Sequence, residues 1–268
     1  MDLQERSILL TGAGSGIGQA MALELASRSA KLTLVGRRSE PLEDVASLVR
    51  ERGGQAYVVA LDLAGPGAPA AAVTAAQEHF GRIDVLINNA GNVRAGRLEA
   101  LAESEVLAQI ALNLVAPILL TRAAIPPLRA CGDGLIVNVS SGIGLIGMPF
   151  YSTYAATKAG IAHFGEALRR ELYGEGVHVL NVYPGATSTP MMDSSQAGVE
   201  HGFEYESPED VAAAAVEGME QGALTVVRGG ATRSEMIALN REDPAAVDRM
   251  LAERKAALEA AVADHSSL

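Results

Sequence analysis

Cysteine is nearly absent: Cys131 is the only one in 268 residues. A lone thiol excludes an internal disulfide and fits a reducing compartment. Positive charge is also in short supply, with 21 Lys and Arg against 32 Asp and Glu for a formal net charge of −11. That balance repels a phosphate backbone, no basic stripe offsets it, and a nucleic-acid partner is not expected. The opening residues lack the charged, apolar and small-residue order of a signal peptide. The apolar stretches look broken by charge or glycine before about 18 residues, so no membrane span is expected. Together these point to a soluble, cytoplasmic protein. The histidines (His79, His163, His178, His201, His265) show no ligand spacing with Cys, Asp or Glu and read as surface or core residues, with no metal site.

What is present is a large apolar fraction, 49%, enough for one large core in a single domain spanning 1–268. Short β-type runs alternate with longer helical patterns, the signature of βαβ units that build a doubly wound parallel sheet with helices on both faces, a Rossmann-type α/β fold. Seven strands are predicted: Ser7 to Thr11, Lys31 to Val35, Ala56 to Ala60, Ile83 to Ile87, Gly134 to Val139, Val177 to Tyr183 and one near Leu224 to Val227. Helical spacing covers Ile17 to Ser29, Pro41 to Glu51, Pro69 to Phe80, Glu103 to Leu128, Tyr154 to Tyr173 and Pro208 to Gln221. A variable segment, about 190–207, and a helical extension, about 231–268, follow. In the extension Asp243 and Pro244 suit an N-cap and first helical position, and Val247, Leu251, Leu258 and Val262 form one stripe. That stripe packs on its own domain or makes a subunit contact; the sequence leaves both open.

Three motifs carry chemistry. Thr11-Gly12-Ala13-Gly14-Ser15-Gly16-Ile17-Gly18 lies between the first strand and first helix, where glycines let the backbone approach a pyrophosphate facing the helix's free N–H groups. The second strand ends in Gly36-Arg37-Arg38. A dinucleotide site that prefers NAD carries an acidic residue there for the ribose 2′-hydroxyl; Gly36 with Arg37 and Arg38 instead suits a 2′-phosphate, so NADP(H) is expected over NAD(H). Tyr154 and Lys158 stand four apart, on one helix face. A cation about 4 Å from a phenol, at an effective dielectric of about 20, contributes roughly 4 kcal/mol, about three pKa units downward from an ordinary value of about 10. Ser141, at the end of the apolar strand Ile136 to Val139, lies thirteen residues before Tyr154, and Ser140 points to the other side of an extended chain. Tyr151 has alanine four positions on.

Taken together, the Thr11-Gly-x-x-x-Gly16-x-Gly18 spacing, Asn88-Asn89-Ala90-Gly91, the Ser141 to Tyr154 interval, Tyr154-x-x-x-Lys158 and Tyr183-Pro184-Gly185-Ala186-Thr187-Ser188-Thr189-Pro190 resemble the short-chain dehydrogenase/reductase family over about Ser7 to Pro190. The resemblance implies that Asn113, Ser141, Tyr154 and Lys158 are the catalytic set, with Asn113 at a helix distortion. It implies cofactor contacts from Asn89, Ala90 and Gly91 beside the adenosine, from Asp62 and the following Leu63 near the adenine, and from Pro184, Gly185, Thr187 and Thr189 near the nicotinamide. Lys158 also holds the nicotinamide ribose in relatives. The implied activity is interconversion of a small carbonyl compound and an alcohol in a homodimer or homotetramer. An epimerase or dehydratase on the same fold, or a non-catalytic NADP(H)-binding regulator, remain the alternatives at this level. Ile143, Leu145, Met148, Phe150, Tyr151 and residues 191–206 are the expected substrate wall.

Overall fold

The computed structural model describes residues 1–268. Seven parallel strands form the sheet, in the order β3-β2-β1-β4-β5-β6-β9: β1 Ser7–Thr11, β2 Lys31–Gly36, β3 Gln55–Ala60, β4 Val85–Asn88, β5 Gly134–Val139, β6 Val177–Tyr183 and β9 Thr225–Val227. Each predicted strand is found with ends within two residues. Chain order reverses between β1 and β4, which opens a crevice at the carboxyl ends of these strands. Two short strands, β7 Ala186–Thr187 and β8 Tyr205–Glu206, pair separately. No alternating pattern announces them, because two residues are too few to show one.

Period-two alternation divides the core. Ile8 and Leu10 of β1 join a cluster beneath α1 (Gly16–Ala26), α2 (Ser39–Glu51) and α7 (Pro208–Gln221), while Leu9 faces α3 (Ala68–Phe80), α5 (Ala116–Ala130) and α6 (Ser152–Glu171). The long helix expected over Glu103 to Leu128 is three pieces: α4 (Glu103–Ile110), a π-turn (Ala111–Val115) and α5. Contrary to the sequence reading, this 28-residue path is long and apolar enough by length and composition to cross a membrane. In the fold Ala116, Leu120, Ala124 and Leu128 pack toward the sheet, and Leu107, Val115 and Leu119 are exposed.

The extension also departs from a single helix. It forms α8 (Ala231–Glu242), α9 (Pro244–Ala252) and α10 (Lys255–Val262). Asp243 caps α9 as expected, accepting from the Ala246 N–H at 3.0 Å. The predicted stripe survives the break: Val247, Leu258 and Val262 are buried, and Leu251 packs on the cluster containing Leu258 and Val262. That cluster includes Val93, Ile143 and Tyr151, so the extension packs on its own chain, over the carboxyl ends of the strands.

Candidate active site

Tight packing shapes the glycine turn. Gly12 has φ +66°, and a β-carbon added at Gly18 would lie 2.1 Å from the Gly12 carbonyl oxygen and 2.6 Å from Asn89 Nδ2. Thr11 locks the turn to the β4 end: its hydroxyl donates to the Ile87 carbonyl and accepts from the Asn89 and Ala90 N–H groups. Asn89 Nδ2 donates back to the Thr11 and Gly12 carbonyls. The N-cap Ser15 makes no side-chain capping bond, and α1 has no acidic residue in its first turn. The first N–H groups of α1 therefore remain open to an anion. These features fit a dinucleotide pyrophosphate.

Two cavities meet at this turn. One, about 160 Å³, is lined by Gly14, Arg37, Arg38 and Leu63, with Gly12, Ser15, Ala90 and Gly91 shared with its neighbour. Neither Arg37 nor Arg38 is ion-paired to a carboxylate; Gly36 packs against Leu42. Asp62 lies outside both cavities, exposed, with Oδ1 accepting from the Ala64 N–H at 3.0 Å. The larger cavity, about 240 Å³, is lined by Gly16, Ile17, Gly18 and Asn89 on one side, Ser141, Tyr154 and Lys158 on another, and Pro184, Gly185, Thr187 and Thr189 on a third.

The placement of α6 sets the second side. Asn88, Asn138 and Asn181 face one another across β4, β5 and β6 and hydrogen-bond in a buried ladder of 3.0 and 3.2 Å, ending on the Ala162 carbonyl of α6. A β-carbon at Gly165 would lie 2.3 Å from Asn181 Oδ1, so this glycine lets α6 settle on the ladder. Ser140 and Ser141, just past the end of β5, both line the cavity, but the buried Ser140 commits its hydroxyl proton to the Lys158 carbonyl at 2.6 Å, while the Ser141 hydroxyl accepts from the Ile143 N–H at 3.3 Å.

Asn113 lies in the π-turn, buried. Its Oδ1 accepts from the Asn92 N–H and its Nδ2 donates to the Asn92 carbonyl, each at 2.8 Å, and it does not line the cavity. A β-carbon at Gly91 would stand 3.2 Å from Asn113 Oδ1 and 3.4 Å from Lys158 Nζ, so these two groups flank the space left by Gly91. Lys158 Nζ donates to the Val139 carbonyl at 3.0 Å and stands 5.7 Å from the Tyr154 ring centroid. At this distance burial outweighs the pull expected from the lysine. The Tyr154 phenol is pushed up to about 12 by burial, opposed by a hydrogen bond with Ser141, and the Lys158 ammonium is pushed down to about 8 by burial.

Of the expected substrate wall, Ile143, Met148 and Tyr151 line the cavity, as do Met191, Met192 and Phe203 of the segment 191–206; Leu145 and Phe150 do not. Val93, Arg233 and His265 line it without having been anticipated. For Arg233 and His265, far along the chain, no spacing in the sequence links them to the site.

The family profile described as short chain dehydrogenase matches residues 6–200. The ketoacyl reductase HetN of Nostoc is 33% identical over 254 residues, 92% of this chain and 88% of its own. A fatty acyl-CoA reductase of Mycobacterium tuberculosis is 35% identical over 200 residues, 74% of this chain and 68% of its own. The crystal structure of levodione reductase superposes with a TM-score of 0.79 at 29% identity, covering 86% of this chain and 98% of that one. Reductases thus recur among the proteins that resemble this chain in sequence and in fold, and NAD(P) is the cofactor such a cradle serves. The chain belongs to the short-chain dehydrogenase/reductase family and is an oxidoreductase acting between carbonyl and CH–OH groups.

Proposed function

We propose that the protein is an NADP(H)-dependent carbonyl reductase in which Tyr154 is the proton donor. The observation that carries this is the convergence of Ser141, Tyr154 and Lys158 on the cavity that the glycine turn enters. Gly12, Ser15, Gly16, Ile17, Gly18, Asn89, Ala90, Gly91, Pro184, Gly185, Thr187 and Thr189 would hold the nucleotide there, and Gly14, Arg37, Arg38 and Leu63 its adenosine end. When bound, the nicotinamide supplies the hydride for reduction or accepts it in the reverse direction. Ser141 Oγ donates a hydrogen bond to the substrate oxygen, and Tyr154 Oη passes its proton to that oxygen as the carbonyl becomes an alcohol. A phenol that burial keeps protonated is suited to giving a proton. The charged Lys158 stabilises the tyrosinate left behind. Asn113 acts through the Asn92 backbone and the space at Gly91, as a positioning residue.

Tyr154→Phe tests the assignment. Carbonyl reduction falls by about 10²–10⁴-fold, as general acid catalysis is lost, while fluorescence titration shows unchanged NADPH affinity. Retained turnover would sink it. The preference for NADP(H) rests on Gly36 and the unpaired Arg37 and Arg38; Arg37→Asp raises KM for NADPH at least tenfold and leaves KM for NADH nearly unchanged, in kinetics at matched substrate. The exposed Leu107, Val115 and Leu119 are the proposed subunit contact of a homodimer or homotetramer, checked by light scattering.

A further inference from the structure

The family profile ends at residue 200, yet Arg233 of α8 reaches the larger cavity. Two glycines make room for it: a β-carbon at Gly142 would lie 2.6 Å from Arg233 Nη1, and one at Gly229 would lie 2.8 Å from Arg233 Cδ. Gly142 directly follows Ser141, so the guanidinium packs on the residue beside the proposed proton-transfer site. Arg233 is half-buried, and no carboxylate comes within ion-pair distance of it, nor does any hydrogen bond engage its guanidinium.

The nearby acids are otherwise committed. Glu206 accepts from Arg228, with N···O distances of 2.9 Å, and from the Gly185 N–H. Glu204 accepts from the Thr232 hydroxyl at 3.3 Å. A guanidinium withdrawn from water carries a penalty unless a partner satisfies its donors. Burial lowers the Arg233 pKa against the weaker pull of the Glu204 and Glu206 charges, and the arginine stays charged. In a chain of net charge −11, an unpaired cation facing the site has an anion as its natural partner. Apolar wall for the rest of a substrate is supplied by Ile143, Met148 and Phe203.

Resting on the reductase reading, we propose that Arg233 is a specificity residue and that the substrate is an anionic carbonyl compound. Its oxo group lies at Ser141 and Tyr154, its carboxylate or phosphate pairs with Arg233, and its apolar portion lies on Ile143, Met148 and Phe203. A planar fork of donors matches either anion bidentately.

The test compares 3-oxooctanoate, its methyl ester and a ketone of the same length bearing a terminal phosphate monoester, in the wild type, Arg233→Gln and Arg233→Lys. The wild type turns over at least one anion with kcat/KM at least tenfold above the ester, and which anion leads identifies the source. Arg233→Gln loses about ten- to hundredfold on that anion, the range for removing a hydrogen bond to a charged group, and stays within about twofold on the ester. Arg233→Lys keeps part of the preference as a point charge. NADPH affinity and the thermal midpoint are unchanged in both variants. Equal turnover of acid, phosphate and ester, an equal loss on all three, or weakened NADPH binding in Arg233→Gln would overturn the proposal and leave the reductase reading standing. No turnover of any probe counts against the reductase reading instead. Calorimetric titration of the two anions then decides the anion site by itself: saturable binding that Arg233→Gln abolishes upholds it, and its absence in the wild type overturns it.

Discussion

At the scale of single residues, burial decides the charge states in the site. Lys158 is 5% exposed, and its ammonium, ordinarily titrating near 10.5, is brought down to about 8. A cation whose pKa is lowered loses its proton earlier as pH rises, so the form that stabilises a tyrosinate is complete at neutral pH and lost above about 8. Tyr154, held up near 12, stays protonated across this window. The expected outcome is a kcat/KM for carbonyl reduction that is flat from pH 6 to about 7.5 and falls up to tenfold per unit above 8. Lys158→Met flattens that limb and leaves a low, pH-independent rate. A profile of the wild type still flat at pH 9.5 would show that the lysine charge does not assist the step. The sequence made the Tyr154 and Lys158 pair legible through their spacing. It did not reveal the sign of the tyrosine shift, because that is set by the burial of the phenol, which only the assembled fold creates.

At the scale of elements, the turn between β1 and α1 was readable because its glycines answer to local backbone geometry. Gly18 is the most constrained, since its missing side chain is what admits the Gly12 carbonyl. In Gly18→Ala the added carbon meets backbone, which cannot yield as a flexible side chain would. Overpacking of this kind costs about 1–3 kcal/mol, and in a chain somewhat larger than 250 residues the thermal midpoint drops by roughly 2 °C per kcal/mol. Loss of NADPH binding accompanies the drop in calorimetry and fluorescence titration. Gly14→Ala serves as the comparison: its added carbon meets only the Pro41 and Leu42 region at 3.3 Å or more, and a midpoint shift as large as that of Gly18→Ala would refute the steric account. The asparagine ladder beneath α6 was not readable in the same way. Asn88, Asn138 and Asn181 are some forty to fifty residues apart, and only the register of β4, β5 and β6 brings them together.

At the scale of the molecule, the two large clusters that hold the sheet contain no residue beyond Val226, while the extension packs only through the third, over the site. This division was invisible in the sequence, where the stripe Val247, Leu251, Leu258 and Val262 announced a buried face but not its partner. The tail is fastened by backbone as well as side chains. The Ala95 N–H donates to the His265 carbonyl at 3.0 Å, the Ser267 N–H donates to the Val93 carbonyl at 2.9 Å, and Gln196 N–H donates to Ala261. His265 is fully buried beside Tyr151, with ring centroids 5.9 Å apart. If the extension forms a wall of the substrate site and not of the cofactor site, detaching it separates the two functions. Val262→Asp places a carboxylate where no solvent reaches, at a cost of several kcal/mol that the end of the tail avoids by leaving its seat. The chain then keeps its NADPH affinity and a cooperative unfolding of the sheet, loses at least tenfold in kcat/KM for its carbonyl substrate, and becomes open to limited proteolysis beyond residue 243. Equal losses in NADPH affinity and turnover would instead make the extension part of the common core, because both sites would then depend on the same packing.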